Sequence, residues 1–164
     1  MDDHHSYSFN GQLQSGEQGE VFLDEYFARW FILEPASPAE QRQGIDRFFT
    51  TRNRKRRFAV EYKTDNVAAR TGNAFIETIS VDVINKPGWA YTSQAEYLLY
   101  YVPGKAVVYM MPMPAIRRCL ALWLEHFPHR QIPNNGYNSY GLLVPLGEFE
   151  RYAEGVFMTN SSPV

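Results

Sequence analysis

The chain has 164 residues, 45% of them hydrophobic and 21% charged, with 11 Tyr, 11 Phe and a formal net charge of −2. That length suits one domain with a buried core, and the composition excludes a disordered tail, a collagenous repeat and a coiled coil. The single cysteine, Cys119, excludes an internal disulfide framework and a cysteine-based zinc site, and no apolar run is long enough to span a bilayer.

Charge is unevenly spread. Residues 1–50 carry 3 basic and 9 acidic side chains, whereas residues 51–70 carry 7 basic and 2 acidic ones. Most of the positive excess is the run RNRKRR at 52–57. This is a local anion-binding signal in a chain that is not generally basic.

In chain order, residues 1–14 are polar and read as a flexible N-terminus, unlike a secretory or transit leader. Residues 15–164 then read as a single domain. Leu23, Phe27 and Trp30 recur at helical spacing, so a helix is expected over about 16–32, capped by Ser15. A proline-containing loop follows, then a strand over 44–51, the basic connection, and a second strand, RFAVEYKTD. Two strands joined this way predict a hairpin. Residues 73–84 read as a third strand. A short helical turn and two strands around Pro103-Gly104 come next, then a helix over about 114–127 with the stripe Ile116, Leu120, Trp123 and Phe127. HRQIPNNGYNS reads as a loop, YGLLVPLGEF as a last strand and EFERYAEGVF as a short helix. The order places the chain in the α/β class, at the α+β border, with a mixed central sheet flanked by helices.

The chemistry concentrates on the second strand. Alternation puts Glu61 and Lys63 on one face and Phe58, Val60 and Tyr62 on the other. Asp46, on the strand that should pair with it, brings a second carboxylate to the same edge. Glu20 lies on the apolar stripe of the first helix, with Glu17 one turn earlier and less squarely placed. A buried carboxylate needs a partner. A divalent cation shared by Glu20, Asp46, Glu61 and the backbone carbonyl of Tyr62 would supply one. Hard oxygen ligands of this kind hold Mg²⁺, with Mn²⁺ as a substitute, and suit phosphodiester hydrolysis. Lys63 could orient or deprotonate the attacking water, or neutralise charge on the phosphate.

GID followed by VEYK, with GEQGEVFLDEYF upstream, resembles the signature of the PD-(D/E)XK nuclease superfamily, which includes restriction endonucleases and archaeal-type Holliday-junction resolvases. EYKTDNVAARTGNAFIE further resembles a group of phage-borne, nuclease-like proteins. The superfamily's proline is replaced here by Ile45. The resemblance covers about residues 16–102. It implies a restriction-endonuclease-like α-β-β-β-α-β core with C-terminal strand and helix additions. It also implies a Mg²⁺-dependent nuclease acting on DNA, with Asp46, Glu61, Lys63 and Glu20 as its catalytic residues. The cytoplasm of a bacterial or phage-infected cell is the implied location, with no membrane contact, and a homodimer is compatible with such a fold.

Other residues are weighed beside this set. Glu77 alternates with Phe75 and Ile79, and could join the site or pair with Arg57 or Lys63. Asn73 and Gln94 are candidate polar neighbours of the site. Arg52, Arg54, Lys55, Arg56 and Arg57 are candidate phosphate contacts, or else a solvated turn. The hairpin tip could lie beside the catalytic end of the sheet or away from it. Cys119 reads as a small core residue. The alternatives to an enzyme are a nucleic-acid-binding or assembly protein that keeps the nuclease fold without turnover, and an α/β binding module whose carboxylates are structural and which binds no metal.

Overall fold

The computed structural model describes residues 9–160, with side chains from residue 14 onward. It is a mixed α/β structure. Helix α1 (Phe9–Phe27) is followed by β1 (Phe31–Pro35), the short helix α2 (Pro38–Gln41), β2 (Arg47–Thr51) and β3 (Arg57–Thr64). Then come α3 (Ala68–Thr71), β4 (Asn73–Val81), β5 (Lys86–Pro87), α4 (Trp89–Thr92), β6 (Tyr97–Val102) and β7 (Val107–Pro112). Helix α5 (Met113–His126), β8 (His129–Pro133), β9 (Asn138–Pro145), α6 (Leu146–Glu150) and β10 (Gly155–Met158) are the last elements among the described residues.

Six strands form the central sheet in the order β1-β2-β3-β6-β7-β10. Only the β3–β6 pair is parallel, with Val60 opposite Tyr97 and Thr64 opposite Tyr101; the other pairs are antiparallel. The parallel pair requires a crossover, and residues 65–96 supply it. A second sheet, β5-β4-β9-β8, is antiparallel throughout.

Helix α1 packs on one face of the central sheet. Leu23, Tyr26 and Phe27, at helical spacing, meet Phe49, Phe58, Val60, Tyr62 and Leu99. The opposite face buries Ala59, Leu98, Tyr100 and Met111 against α5, α6 and the inner side of the second sheet. Ile116, Cys119, Leu120 and Trp123 of α5 are buried there, as their stripe predicts.

The structure departs from the sequence reading in several places. Helix α1 begins at Phe9, so residues 9–14 are helical and Ser15 is inside the helix, where its hydroxyl accepts a hydrogen bond from Asn66. Residues 1–8 of the expected flexible terminus lie outside the described residues. The helix ends at Phe27, and Phe31–Pro35 is a strand instead of helix end and loop. Trp30 therefore lies in the turn, 43% exposed, against the rings of Tyr26, Phe27 and Phe157. The strand expected over 73–84 is β4, which leaves the central sheet and pairs with β9. Residues 129–133 and 155–158, read as loop and helix, are strands.

Candidate active site

The site forms where β3 outruns β2. The last rung between them is Arg47 opposite Val60. Asp46 stands just before it, donating its N–H to the Val60 carbonyl at 2.9 Å. Its Oδ2 accepts the Tyr62 N–H at 2.7 Å. Alternate residues of a strand aim their peptide groups to the same neighbour. Ala59 and Asp65 bond toward the β6 side, so the Tyr62 carbonyl, like its N–H, faces the side of Asp46.

Side chains follow the expected alternation. Val60 and Tyr62 face α1, whereas Ala59 belongs to the opposite core. Glu61 and Lys63 therefore share the face turned toward α5 and the second sheet. Glu61 is only 3% exposed. Its Oε1 pairs with the Lys63 ammonium at 2.7 Å. Its Oε2 is buried and has no hydrogen-bond partner among the described residues. Burial works against the Lys63 ammonium, but the charges of Glu61, Asp46 and Glu77 outweigh it and hold the pKa above the usual lysine value.

The second sheet contributes Glu77 from β4. Burial raises its carboxyl pKa, while Lys63 and a hydrogen bond from the Trp89 N–H pull the other way. The chain at Gly88 presses on this residue. A Cβ there would overlap the Glu77 carbonyl oxygen and stand 2.8 Å from its Cγ. A glycine at the head of α4 thus permits the approach that brings Trp89 to Glu77.

Glu20 has a different immediate partner from the one expected. Its Oε2 accepts from Arg47 Nη2 at 3.3 Å, and the carboxyl pKa is raised by burial first and by Asp46 second. Helix α1 covers the Val60 and Tyr62 face, so Glu20 approaches from the side of the sheet opposite Glu61 and Lys63. Glu17 is exposed, whereas Glu20 is half-buried and reaches Arg47. Arg47 also forks onto Asp24 at 2.9–3.1 Å. The Tyr62 hydroxyl donates to Asp24 at 3.0 Å, and burial keeps that hydroxyl protonated far above its usual range. Arg47 and Asp24 were absent from the sequence-derived set. The signals were present: Asp24 follows Glu20 by one helical turn, and Arg47 alternates with Phe49 toward α1.

The remaining candidates are dispersed. Asn73 bonds locally to Thr71. Gln94 is exposed and contributes its backbone N–H to the Gln43 carbonyl, while Ser93 Oγ bonds the Gly44 carbonyl, so this segment props the loop leading to Asp46. In the basic hairpin, Arg52 bonds the Ala28 carbonyl. Arg56 bonds the Tyr97 hydroxyl at 2.9 Å. Arg57 pairs with Glu34 at 3.1 Å and stacks 3.8 Å over Phe48. Arg54 and Lys55 make no ion pair among the described residues. The tip lies at the end of the sheet away from the site, since β3 climbs about 20 Å from Arg57 to Lys63 at ~3.3 Å per residue.

Among the described residues, no group of three or more His, Cys, Asp or Glu forms a ready metal cage. None of the described helices is long and apolar enough to cross a membrane. Compared with protein-family models, curated proteins and solved structures, the chain matches none.

Proposed function

We propose that the chain is a metal-dependent nuclease that hydrolyses phosphodiester bonds in DNA. One observation carries the reading: the buried Glu61 carboxylate has one oxygen on Lys63 and the other without a hydrogen bond, beside Asp46. An orphaned, buried carboxylate oxygen is costly unless something binds it. A cation fits the donors at hand. The carboxylates of Asp46 and Glu61 and the Tyr62 carbonyl are hard oxygens, too few for a closed cage, which suits Mg²⁺ because it keeps several waters. When bound, the ion would polarise a phosphoryl oxygen and acidify water.

The chain's own groups have separate parts. Asp46 is held at the start of β2 by the Tyr62 N–H. Lys63 sets an ammonium beside the carboxylate cluster, where it would offset negative charge growing on a phosphate. Burial keeps bulk water from the Glu61 carboxylate and strengthens both interactions. The element order supports the resemblance to PD-(D/E)XK nucleases: α1 is followed by β1, β2 and β3, and β6 lies parallel to β3. The chain differs in its crossover, which carries β4, β5, two short α-helices and a 3-10 turn in place of a single helix.

A second reading keeps the fold and its nucleic-acid contact without turnover. It is favoured by the Glu61–Lys63 and Glu20–Arg47 pairs, which neutralise much of the site's charge internally. Calorimetry with Mn²⁺ separates the two. The nuclease reading predicts saturable binding to the wild type, retained in Lys63→Ala and lost in Asp46→Ala and Glu61→Gln. Absence of binding by the wild type would overturn the nuclease reading.

A further inference from the structure

Asp46 immediately precedes β2, where the ladder to β3 ends at Arg47 opposite Val60, and its main chain bonds both neighbours, the N–H to the Val60 carbonyl at 2.9 Å and the carbonyl to the Ala36 N–H at 3.0 Å. A side chain at such a point swings unless it is tied. Two further ties lead to one residue of α1, Asp24. The Asp46 carboxylate accepts from the Tyr62 N–H at 2.7 Å. The Asp46 carbonyl accepts from Arg47 Nη1 at 2.8 Å. The other donors of Arg47 grip Asp24 at 2.9–3.1 Å and reach Glu20 at 3.3 Å. The Tyr62 hydroxyl bonds the same Asp24 at 3.0 Å, and its ring lies 5.5 Å from the Arg47 guanidinium. A closed circuit results: Asp46 carbonyl, Arg47, Asp24, Tyr62, Asp46 carboxylate.

Only a planar guanidinium can satisfy this set of acceptors from one side chain, and Arg47 is held in place with 15% of its side chain exposed. We infer that Arg47 and Asp24 are positioning residues: from the α1 side of the sheet they add a side-chain tie to the Asp46 carbonyl and, through Tyr62, orient its carboxylate, and Glu20 acts by sharing Arg47. The inference rests on the reading of Asp46 as a cation ligand. Groups that orient a ligand this way commonly change metal affinity or activity about 10–100-fold when removed.

The test uses the full chain as wild type, Arg47→Lys, Asp24→Asn and Tyr62→Phe. Three quantities are measured: Mn²⁺ affinity by calorimetry, kcat and KM on plasmid DNA, and the thermal midpoint. Arg47→Lys keeps the charge and loses the fork. It should lower Mn²⁺ affinity and kcat about 10-fold or more, with KM for DNA within about two-fold. Asp24→Asn should show the same pattern more weakly, about three- to ten-fold. Asp24→Asn combined with Arg47→Lys should lose little more than Arg47→Lys alone, because both break one circuit. A purely structural role would lower the thermal midpoint while folded protein kept its Mn²⁺ affinity and kcat. That outcome overturns the inference and leaves the nuclease reading standing. If Arg47→Lys fails to fold, Asp24→Asn and Tyr62→Phe decide by the same criterion. A wild type that binds no Mn²⁺ overturns the reading of Asp46, and the inference with it.

Discussion

Burial works against a charge on Glu77. Its carboxyl pKa is raised above the ordinary 4.5, burial being the largest cause. The folded chain therefore holds the Glu77 proton more tightly than the unfolded chain does. Its contribution to stability is best below the unfolded value and worsens as pH rises through the folded one. Glu77→Gln should raise the thermal midpoint at pH 7 in EDTA, with the gain shrinking to nothing as pH falls below the unfolded value. Thermal melts of both proteins across pH check this; an equal gain at acid pH would assign the effect to something other than charge. Glu61 and Lys63 were legible at this scale because a two-residue period is local and fixes a shared face. The partner of Glu20 was not. Arg47 is 27 residues away, and a one-dimensional reading of a buried carboxylate gives its need for a partner without saying which one meets it.

At the scale of elements, α1 reaches β3 through Gly19. A Cβ at that position would overlap Thr64 Oγ1 and lie 2.9 Å from Thr64 Cβ. An alanine in a helix interior normally gains about 1 kcal/mol over glycine. Here overpacking should win, so Gly19→Ala should cost about 1–3 kcal/mol in urea unfolding. Adding Thr64→Ala should recover part of that loss, because two of the three crowding atoms go. The basic tip is the other element with a consequence. Arg54 and Lys55 are its unengaged cations among the described residues, about 20 Å from Lys63 by strand rise. Changing both to alanine should flatten the salt dependence of DNA binding, measured by anisotropy, by about two units of slope. Turnover at saturating DNA should stay as it was. An unchanged slope would make the tip a solvated turn. The elements that sequence analysis misplaced are those whose order comes from a partner. β8 is exposed at four of its five residues and is a strand because β9 pairs with it. β10 and β1 are sheet edges of four and five residues, too short for a period to declare itself. α5, with a full stripe over 14 residues, was legible.

For the whole molecule, the class and the mixed sheet follow from the sequence, but the second sheet does not. It rests on β4 pairing with β9 across some 70 residues of chain, Asn73 opposite Pro145. That pairing is long-range, and nothing local to residues 73–81 distinguishes it from a third strand of the central sheet. It matters for function because β4 brings Glu77 toward Lys63 and Glu61. On the proposed function, this arrangement cuts DNA with the help of a divalent cation. The most direct measurement is incubation of plasmid, linear and branched DNA with the wild type and Lys63→Ala, each with Mg²⁺, Mn²⁺ or EDTA. A metal-dependent nuclease should show cleavage by the wild type with either metal, none in EDTA, and a loss of orders of magnitude in Lys63→Ala. Intact DNA of all three kinds with the metal-loaded wild type, or cleavage that persists in EDTA or in Lys63→Ala, would contradict that reading.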